Sequence, residues 1–294
     1  MNYVILDMEW NRPERDEDLL REPFVFDSEI IEIGAILLDE DFEAAEEFKT
    51  FVRPRFYTHM NGAVASLTKI RSQLLKDAPA FPEALQQFLA WCGEHCCLCT
   101  WGPTDAAVLL DNMLLHGLDT ETAPWFCDLQ RIFGREIMRE ERRCSLESAV
   151  ELFGLKMDRA HDALNDARNT LRVCSRMDLA GCAEEYVFRY VAYGEDRAAP
   201  ESERLFPTQA AALASNGLVT IPCPYCGETI RFGDWAARGE NLLGYARCGE
   251  GDEYLCSLRQ RRAAGGLLFS RRVREMSDDL WDLYQEAREK EAAE

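Results

Sequence analysis

Short apolar runs alternate with polar breaks in an order that predicts a sheet interleaved with helices. Residues 3–9 are rich in β-formers and run from Tyr3-Val4-Ile5-Leu6 into Asp7-Met8-Glu9, which predicts a strand. Residues 11–28 are polar and acidic and read as a loop. Glu29 to Leu38 is almost continuously apolar and predicts a second strand, and Phe48 to Val52 a third. The short Asp39–Asp41 connection between them suits an antiparallel meander. Pro82 fits the first turn of a helix whose Leu85, Phe88, Leu89, Trp91 and Cys92 share a face, with Gly93 just beyond it. A buried strand near Cys96–Trp101 comes next. It leads to a helix from Asp105 to about Leu115, with Thr104 as its N-cap and Gly117 as its stop. Trp125 to Leu129 predicts a further strand. Ser145 caps a helix carrying Leu146, Ala149, Val150 and Phe153, and Leu164, Ala167, Leu171 and Cys174 mark one after His161. Three meandering strands followed by alternating helices and strands imply an α/β fold, a mixed sheet flanked by helices.

Beyond this the pattern changes. Residues 195–217 read as a linker with an alanine-rich stretch, and a cysteine module follows at about 218–258. Ser277 to Glu294 is charged and helical in pattern, with Leu280, Trp281 and Tyr284 on its apolar side. At 294 residues there is room for one medium domain and a smaller one. Tyr3–Leu6 is too short for the apolar core of a signal peptide, and no apolar run approaches the ~20 residues of a membrane span. The chain reads as cytoplasmic, with no membrane partner.

Twelve cysteines raise the question of a disulfide scaffold. Cys96, Cys97 and Cys99 lie in the buried strand, where a thiol packs as a small hydrophobe. Only Cys223, Cys226, Cys248 and Cys256 are spaced like ligands. Cys223-Pro224-Tyr225-Cys226-Gly227 is a zinc-knuckle signature, and Cys248 with Cys256 would complete a tetrahedral four-thiolate site for a structural Zn²⁺. The other reading is a ribbon that has lost its metal.

The net charge of -20 argues against simple electrostatic capture of a polyanion. Much of the excess acid lies in Glu14–Asp18 and Asp39–Glu47. Against it stand Arg259, Arg261, Arg262, Arg271, Arg272 and Arg274, with no acid between the first and the last. They read either as a solvated face or as a phosphate-contacting tail.

Side chains two apart on a strand project from one face, so Asp7 and Glu9 point together while Met8 points away. Two carboxylates so placed can straddle a metal pair ~3.5–4 Å apart. An isolated Asp-x-Glu is ordinarily surface charge, but this pair interrupts an apolar strand, where carboxylates without a cation are costly. Asp105 opens a helix, where the dipole favours an acid in any case. Asp166 lies on a helix with His161 five residues ahead. Order, spacing and element type make the five together more specific than any one alone.

These residues resemble the DEDDh 3'-5' exonucleases, DnaQ-like enzymes with an RNase H-like fold. Asp7-Met8-Glu9 looks like the first motif, Trp101-Gly102-Pro103-Thr104-Asp105 the second, and His161-Asp162-Ala163-Leu164-Asn165-Asp166 the third. Glu29-Ile30-Ile31-Glu32-Ile33-Gly34-Ala35 resembles the second strand, and Leu67-Thr68-Lys69-Ile70 the segment before the fourth. The tryptophan-glycine form of the second motif is similar to the Eri-type and KapD-type branch. The likeness covers about residues 1–178. It divides the chain into an exonuclease domain, a helical or linker segment at 179–217, a zinc-ribbon-like four-cysteine module at 218–258 and an arginine-rich, then charged helical tail at 259–294. It implies that Asp7 bridges two Mg²⁺ or Mn²⁺ ions, that Glu9 and Asp166 complete the inner shell, and that Asp105 acts through a water. His161 would be the general base for the attacking water. The acidic Glu14–Asp27 loop puts duplex binding near the site in doubt and favours a single-stranded 3' end, RNA favoured by the branch, with Met8 and Trp10 beside the first motif and Arg259, Arg261 and Arg262 of the basic stretch as candidate contacts. Trp10 would stack on a base or simply pack at the strand end. The rival readings are a DNA-trimming enzyme and a non-catalytic binding module on the same fold.

Overall fold

The computed structural model describes residues 1–20, 26–139, 143–188, 205–223, 225–239, 241–263, 265–276 and 278–293. Part of the acidic loop (21–25), part of the expected linker (189–204) and Pro224 of the knuckle lie outside the described residues. The chain forms two compact units, Met1–Arg139 with Cys144–Ala192, and Glu140–Arg143 with Tyr193–Glu294.

The first unit opens with β1 (Asn2–Asn11), β2 (Glu29–Leu38) and β3 (Ala44–Phe51). Helices α1 (Gly62–Thr68), α2 (Ser72–Leu75) and α3 (Phe81–Cys92) follow. Then come β4 (Cys96–Thr100), α4 (Thr104–Leu115), β5 (Trp125–Asp128), α5 (Leu129–Ile132), α6 (Leu146–Leu152), α7 (Ala163–Cys174), α8 (Leu179–Cys182) and β6 (Val187–Phe188). The six strands are ordered β3-β2-β1-β4-β5-β6. β4 runs parallel to β1 and β5, and the other pairs are antiparallel. This is the mixed sheet the hydrophobic pattern implies.

Each strand feeds two cores, because alternate side chains leave opposite faces. Val4, Leu6, Met8, Ile33 and Leu98 pack with α3 and α4 residues such as Phe88 and Leu109. Ile5, Ile36, Cys97, Cys99 and Cys127 face the other way, against Leu164 and Ala167 of α7. The cysteines fill space here as small hydrophobes, and all twelve in the chain are free thiols.

Gly34 is where α7 comes closest to the sheet. A Cβ on it would stand 2.1 Å from the Leu164 nitrogen and 2.2 Å from the Ala163 carbonyl carbon. Only glycine lets the helix start touch the strand. Gly34 is also the cross-strand partner of Asp7, so the same contact sets α7 beside the acidic strand.

Three local expectations change. Thr104 is the first residue of α4 and not its cap; Pro103 holds that position without a side-chain bond, since its ring carries no acceptor. Helices α1 and α2 occupy a stretch with too few residues for helical periodicity to register. Of the helical or linker segment, residues 179–186 take the helical form and 187–188 a strand: Leu179 and Ala183 are buried against the sheet, and β6 pairs with β5.

The second unit contains α9 (Gln209–Leu213), α10 (Asn216–Val219), β7 (Thr220–Pro222), β8 (Thr229–Arg231), β9 (Gly233–Arg238), β10 (Asn241–Arg247), β11 (Glu253–Ala263), β12 (Gly266–Glu275) and α11 (Asp278–Ala293). β7 and β8 make a hairpin, and β9 to β12 a four-stranded sheet ordered β12-β11-β10-β9. The arginine-rich stretch is therefore not a tail. It forms the β11–β12 hairpin, whose register runs from Tyr254 opposite Glu275 to Ala263 opposite Gly266. Arginines tolerate this strand because neighbouring residues (Leu255, Cys256, Leu258, Phe269) still supply a core. α11 lays Leu280, Trp281 and Tyr284 on Ala236, Leu243 and Leu255, the apolar side its sequence presents.

Candidate active site

The five residues singled out in sequence converge at one edge of the first unit. Asp7 and Glu9 project from β1 on the α7 face, opposite Gly34 and Glu32 of β2. Asp105 stands at the start of α4, only 7% exposed, and its Oδ1 accepts the Met8 N–H at 3.0 Å. That bond ties the helix start to the backbone between the two β1 carboxylates. Asp166 sits in the first turn of α7 at 8% exposure. Its Oδ2 accepts the His161 N–H at 2.6 Å and its Oδ1 the Asn169 side chain at 3.2 Å. Both carboxylate oxygens are thereby oriented.

His161 is exposed, with φ of +62°, a left-handed conformation that non-glycine residues seldom adopt. Such backbone is held by its surroundings, here by the Asp166 bond, and clusters at functional sites. Ligand atoms of Glu9, His161 and Asp166 lie within 4.8 Å of one another.

Four carboxylates this close repel. Burial, then Asp105, Asp166, Glu9 and Glu32, drives the Asp7 carboxyl well above the usual range. Burial and the neighbouring Asp166 and Glu32 push Glu9 up to about 8. Burial takes Asp105 up to about 7 against the opposing Met8 N–H. Asp166 is raised too, mainly by burial, with the His161 N–H and Asn169 working the other way. Without a cation, the folded chain relieves this repulsion by holding protons. A set of hard oxygen donors, buried and mutually repelling, fits Mg²⁺ or Mn²⁺.

Sequence reading gave Glu32 no role. It is 2% exposed, accepts the Ala163 N–H at 3.0 Å and pairs with Lys49 Nζ at 3.0 Å. Lys49 also reaches Asp162 at 2.7 Å. Asp162 in turn caps α7 by accepting the Asn165 N–H. Glu32, Lys49 and Asp162 thus pin the helix start that carries Asp166. The available signal was a lone charge inside Ile30-Ile31-Glu32-Ile33. Asn11, expected at the head of a loop, is a fully buried strand residue. Its side chain donates to Tyr57 and His59 carbonyls and accepts the Asn61 N–H, fastening the end of β1 to α1.

Two candidate contacts change character. The Met8 side chain is 3% exposed and packed in the core, so only its N–H serves the site. Strand alternation that points Asp7 and Glu9 outward points Met8 inward. Trp10 is half-buried against the same core. In the acidic loop, Arg15 pairs with Glu17 and with Asp18 in the open. Arg259, Arg261 and Arg262 lie on β11, the first and the last two on either side of Gln260, and all three are exposed. Arg271 spends its guanidinium on the Gly217, Leu218 and Thr220 carbonyls and so is structural.

In the second unit Cys223, Cys226 and Cys248 cluster, their Sγ atoms within 4.8 Å of one another. Cys256 does not join them, contrary to the expected set of four thiolates. It is wholly buried in the apolar core of that unit, between Gly244 and Val273. Tyr254, two residues earlier on the same face, takes the place beside Cys223, and Cys256 falls one pleat further, about 6.5–7 Å along the strand.

Residues 4–174 match the exonuclease (RNase_T) family. 3'-5' exoribonuclease 1 of Rattus norvegicus is 26% identical over 171 residues, covering 54% of this chain and 50% of the relative. DNA polymerase III PolC-type of Caldanaerobacter subterraneus is 26% identical over 149 residues, 51% of this chain but 10% of the polymerase. The chain thus spans half the length of the first of these curated relatives and a small part of the second. Among solved structures, the nuclease domain of 3'hExo, a DEDDh family member bound to rAMP, superposes with a TM-score of 0.53 at 26% identity. It covers 62% of this chain and 94% of that domain, and the first unit has the same RNase H-like fold. The family match runs across β1, α4 and α7, every element that positions the five side chains, and this chain belongs to the exonuclease family, in its DEDDh branch.

Proposed function

We propose that this chain is a divalent-metal-dependent 3'-5' exonuclease that removes nucleotides from single-stranded 3' ends, RNA favoured, in the cytoplasm. The observation that carries it is the convergence of Asp7, Glu9, Asp105 and Asp166, with raised proton affinities, beside His161. The four carboxylates would hold two Mg²⁺ or Mn²⁺ ions. Bound there, the ions supply charge stabilisation for the scissile phosphate and the leaving oxygen. Asp105 fixes the backbone at Met8 so that Asp7 and Glu9 keep their aim. Asp166 is oriented by the His161 N–H and Asn169. His161 takes a proton from the attacking water at its imidazole, and its exposure lets that proton pass to solvent.

RNA is favoured because the rat relative is an exoribonuclease and the superposed nuclease domain holds rAMP. The PolC-type relative supports DNA trimming as the second reading. Twelve free thiols support a reducing compartment. The test is degradation of matched 5'-labelled RNA and DNA, single and double stranded, with Mg²⁺, Mn²⁺ or EDTA. The expected product is a ladder shortened from the 3' end, faster on single-stranded RNA and absent in EDTA. No shortening with either ion, or internal cuts, would reject the proposal.

A further inference from the structure

Three thiols meet at the knuckle, and a closed structural metal site takes four ligands. The fourth donor at hand is a carboxylate. Asp252 Oδ2 lies 3.3 Å from Cys248 Sγ and 3.7 Å from Cys223 Sγ. For a tetrahedral zinc with its usual bond lengths, a sulfur and an oxygen ligand stand about 3.5 Å apart. The two separations bracket that value; Asp252 stands outside the cluster whose ligand atoms all lie within 4.8 Å of one another, so its carboxylate has to swing toward Cys226 for the set to close. Asp252 is also buried, at 7% exposure, with its carboxylate against two thiols.

The backbone explains why aspartate stands here. The first loop closes with Cys223 N–H to the Glu228 carbonyl at 2.7 Å and Gly227 N–H to the Cys223 carbonyl at 2.9 Å, with Gly227 at φ +73°. The second closes in a related way with one residue fewer: Cys248 N–H to the Asp252 carbonyl at 2.9 Å and Gly251 N–H to the Cys248 carbonyl at 3.0 Å, with Gly251 at φ +97°. In the first loop the second ligand, Cys226, is three residues after the first. By these bonds Gly251 stands where Gly227 does and Asp252 where Glu228 does, so the second loop carries no second cysteine, and the acid that follows its glycine is the one that reaches Cys248. The Asp252 N–H points at Cys248 Sγ at 3.2 Å, and the Tyr254 hydroxyl lies 3.2 Å from Cys223 Sγ. Donors aimed at sulfur are the outer partners that steady metal-bound thiolates.

We propose that Cys223, Cys226, Cys248 and Asp252 form a site of three thiolates and one carboxylate for a structural Zn²⁺, joining the β7–β8 turn to the β10–β11 turn. Such a donor set in tetrahedral array selects zinc over Mg²⁺ or Mn²⁺. Four protein ligands leave no open position, so the ion does no chemistry.

The test is metal content and zinc affinity of the full chain, by elemental analysis and by competition of added Zn²⁺ with a colorimetric chelator. One zinc per chain is expected. Asp252→Asn should weaken it by more than the roughly 10- to 100-fold that loss of an outer partner brings, the size expected for Tyr254→Phe. Cys256→Ala should keep it. Zinc kept at full affinity in Asp252→Asn but lost in Cys256→Ala would overturn the proposal, as would a chain that binds no zinc. Should Asp252→Asn not fold, the wild-type chain loaded with Co²⁺ still decides. Thiolate charge-transfer intensity of three sulfurs supports the site, and that of four rejects it.

Discussion

Replacing Gly34 with alanine should disable the site without touching any of its side chains. The added Cβ would lie 2.1 Å from the Leu164 nitrogen, and these are backbone atoms of α7 that cannot rotate aside. Ordinary contact is about 3.5 Å, so the start of α7 must retreat by roughly 1 Å or more. Asp166 and His161 travel with that end, and the Ala163 N–H leaves Glu32. Asp7, paired with Gly34 across β1 and β2, stays behind. The carboxylates on the strand and on the helix would then separate by a distance comparable to the error that costs about 100-fold in rate. Overpacking of this kind also destabilises by about 1–3 kcal/mol. Single-turnover cleavage of a 5'-labelled oligonucleotide at saturating Mg²⁺ measures the first effect, and thermal unfolding in EDTA the second. Gly62→Ala is the control, because its Cβ meets nothing nearer than Glu14 Oε1 at 3.6 Å; it should leave both readouts unchanged. A folded Gly34→Ala protein with near wild-type rate would refute the reasoning that α7 is held in place by this contact.

Other perturbations test separate parts of the site. Asp7→Asn should abolish Mg²⁺-dependent nucleotide release yet raise the melting temperature of metal-free protein at pH 8, since it removes a buried carboxyl that folding forces either to repel its neighbours or to take up a proton; a melting temperature unchanged or lower would count against the repulsion. In metal-free protein Glu9 and Asp105 keep protons up to about 8 and about 7, whereas the unfolded chain releases them near pH 4. Folded protein therefore binds more protons in that window, and its stability should fall as pH rises from about 4 to about 8. The Mg²⁺-induced rise in melting temperature should grow over the same range, and a constant rise would sink the linkage. His161→Ala should slow single-turnover cleavage while calorimetric Mg²⁺ affinity changes much less. Asn11→Ala removes the acceptor of the buried Asn61 N–H and the donor shared by the Tyr57 and His59 carbonyls, and should cost on the order of 2–3 kcal/mol in denaturant unfolding.

What could be read in sequence and what could not divides along a physical line. Features with a local period were legible: the Glu29–Leu38 strand, the Asp7–Glu9 projection, the Ser145 cap and the apolar sides of α7 and α11 each follow from residues a few positions apart. Features set by contact across the chain were not. Glu32 is a single charge in an apolar strand, and nothing nearby announces that it will receive an N–H from residue 163. Asn11 reads as the head of a polar loop because its partners, residues 57, 59 and 61, are far away in sequence. The cysteine module failed for a third reason: ligand type was assumed from ligand spacing. Cys248 and Cys256 look like a stretched chelating pair, yet a strand carries each second residue about another 6.5–7 Å along, and Cys256 ends in the core. The tight Cys248–Asp252 turn closes on itself before that strand begins, so the donor that meets the thiols has to lie inside the turn. Asp252, the residue after Gly251, meets that condition at Cys248 and Cys223.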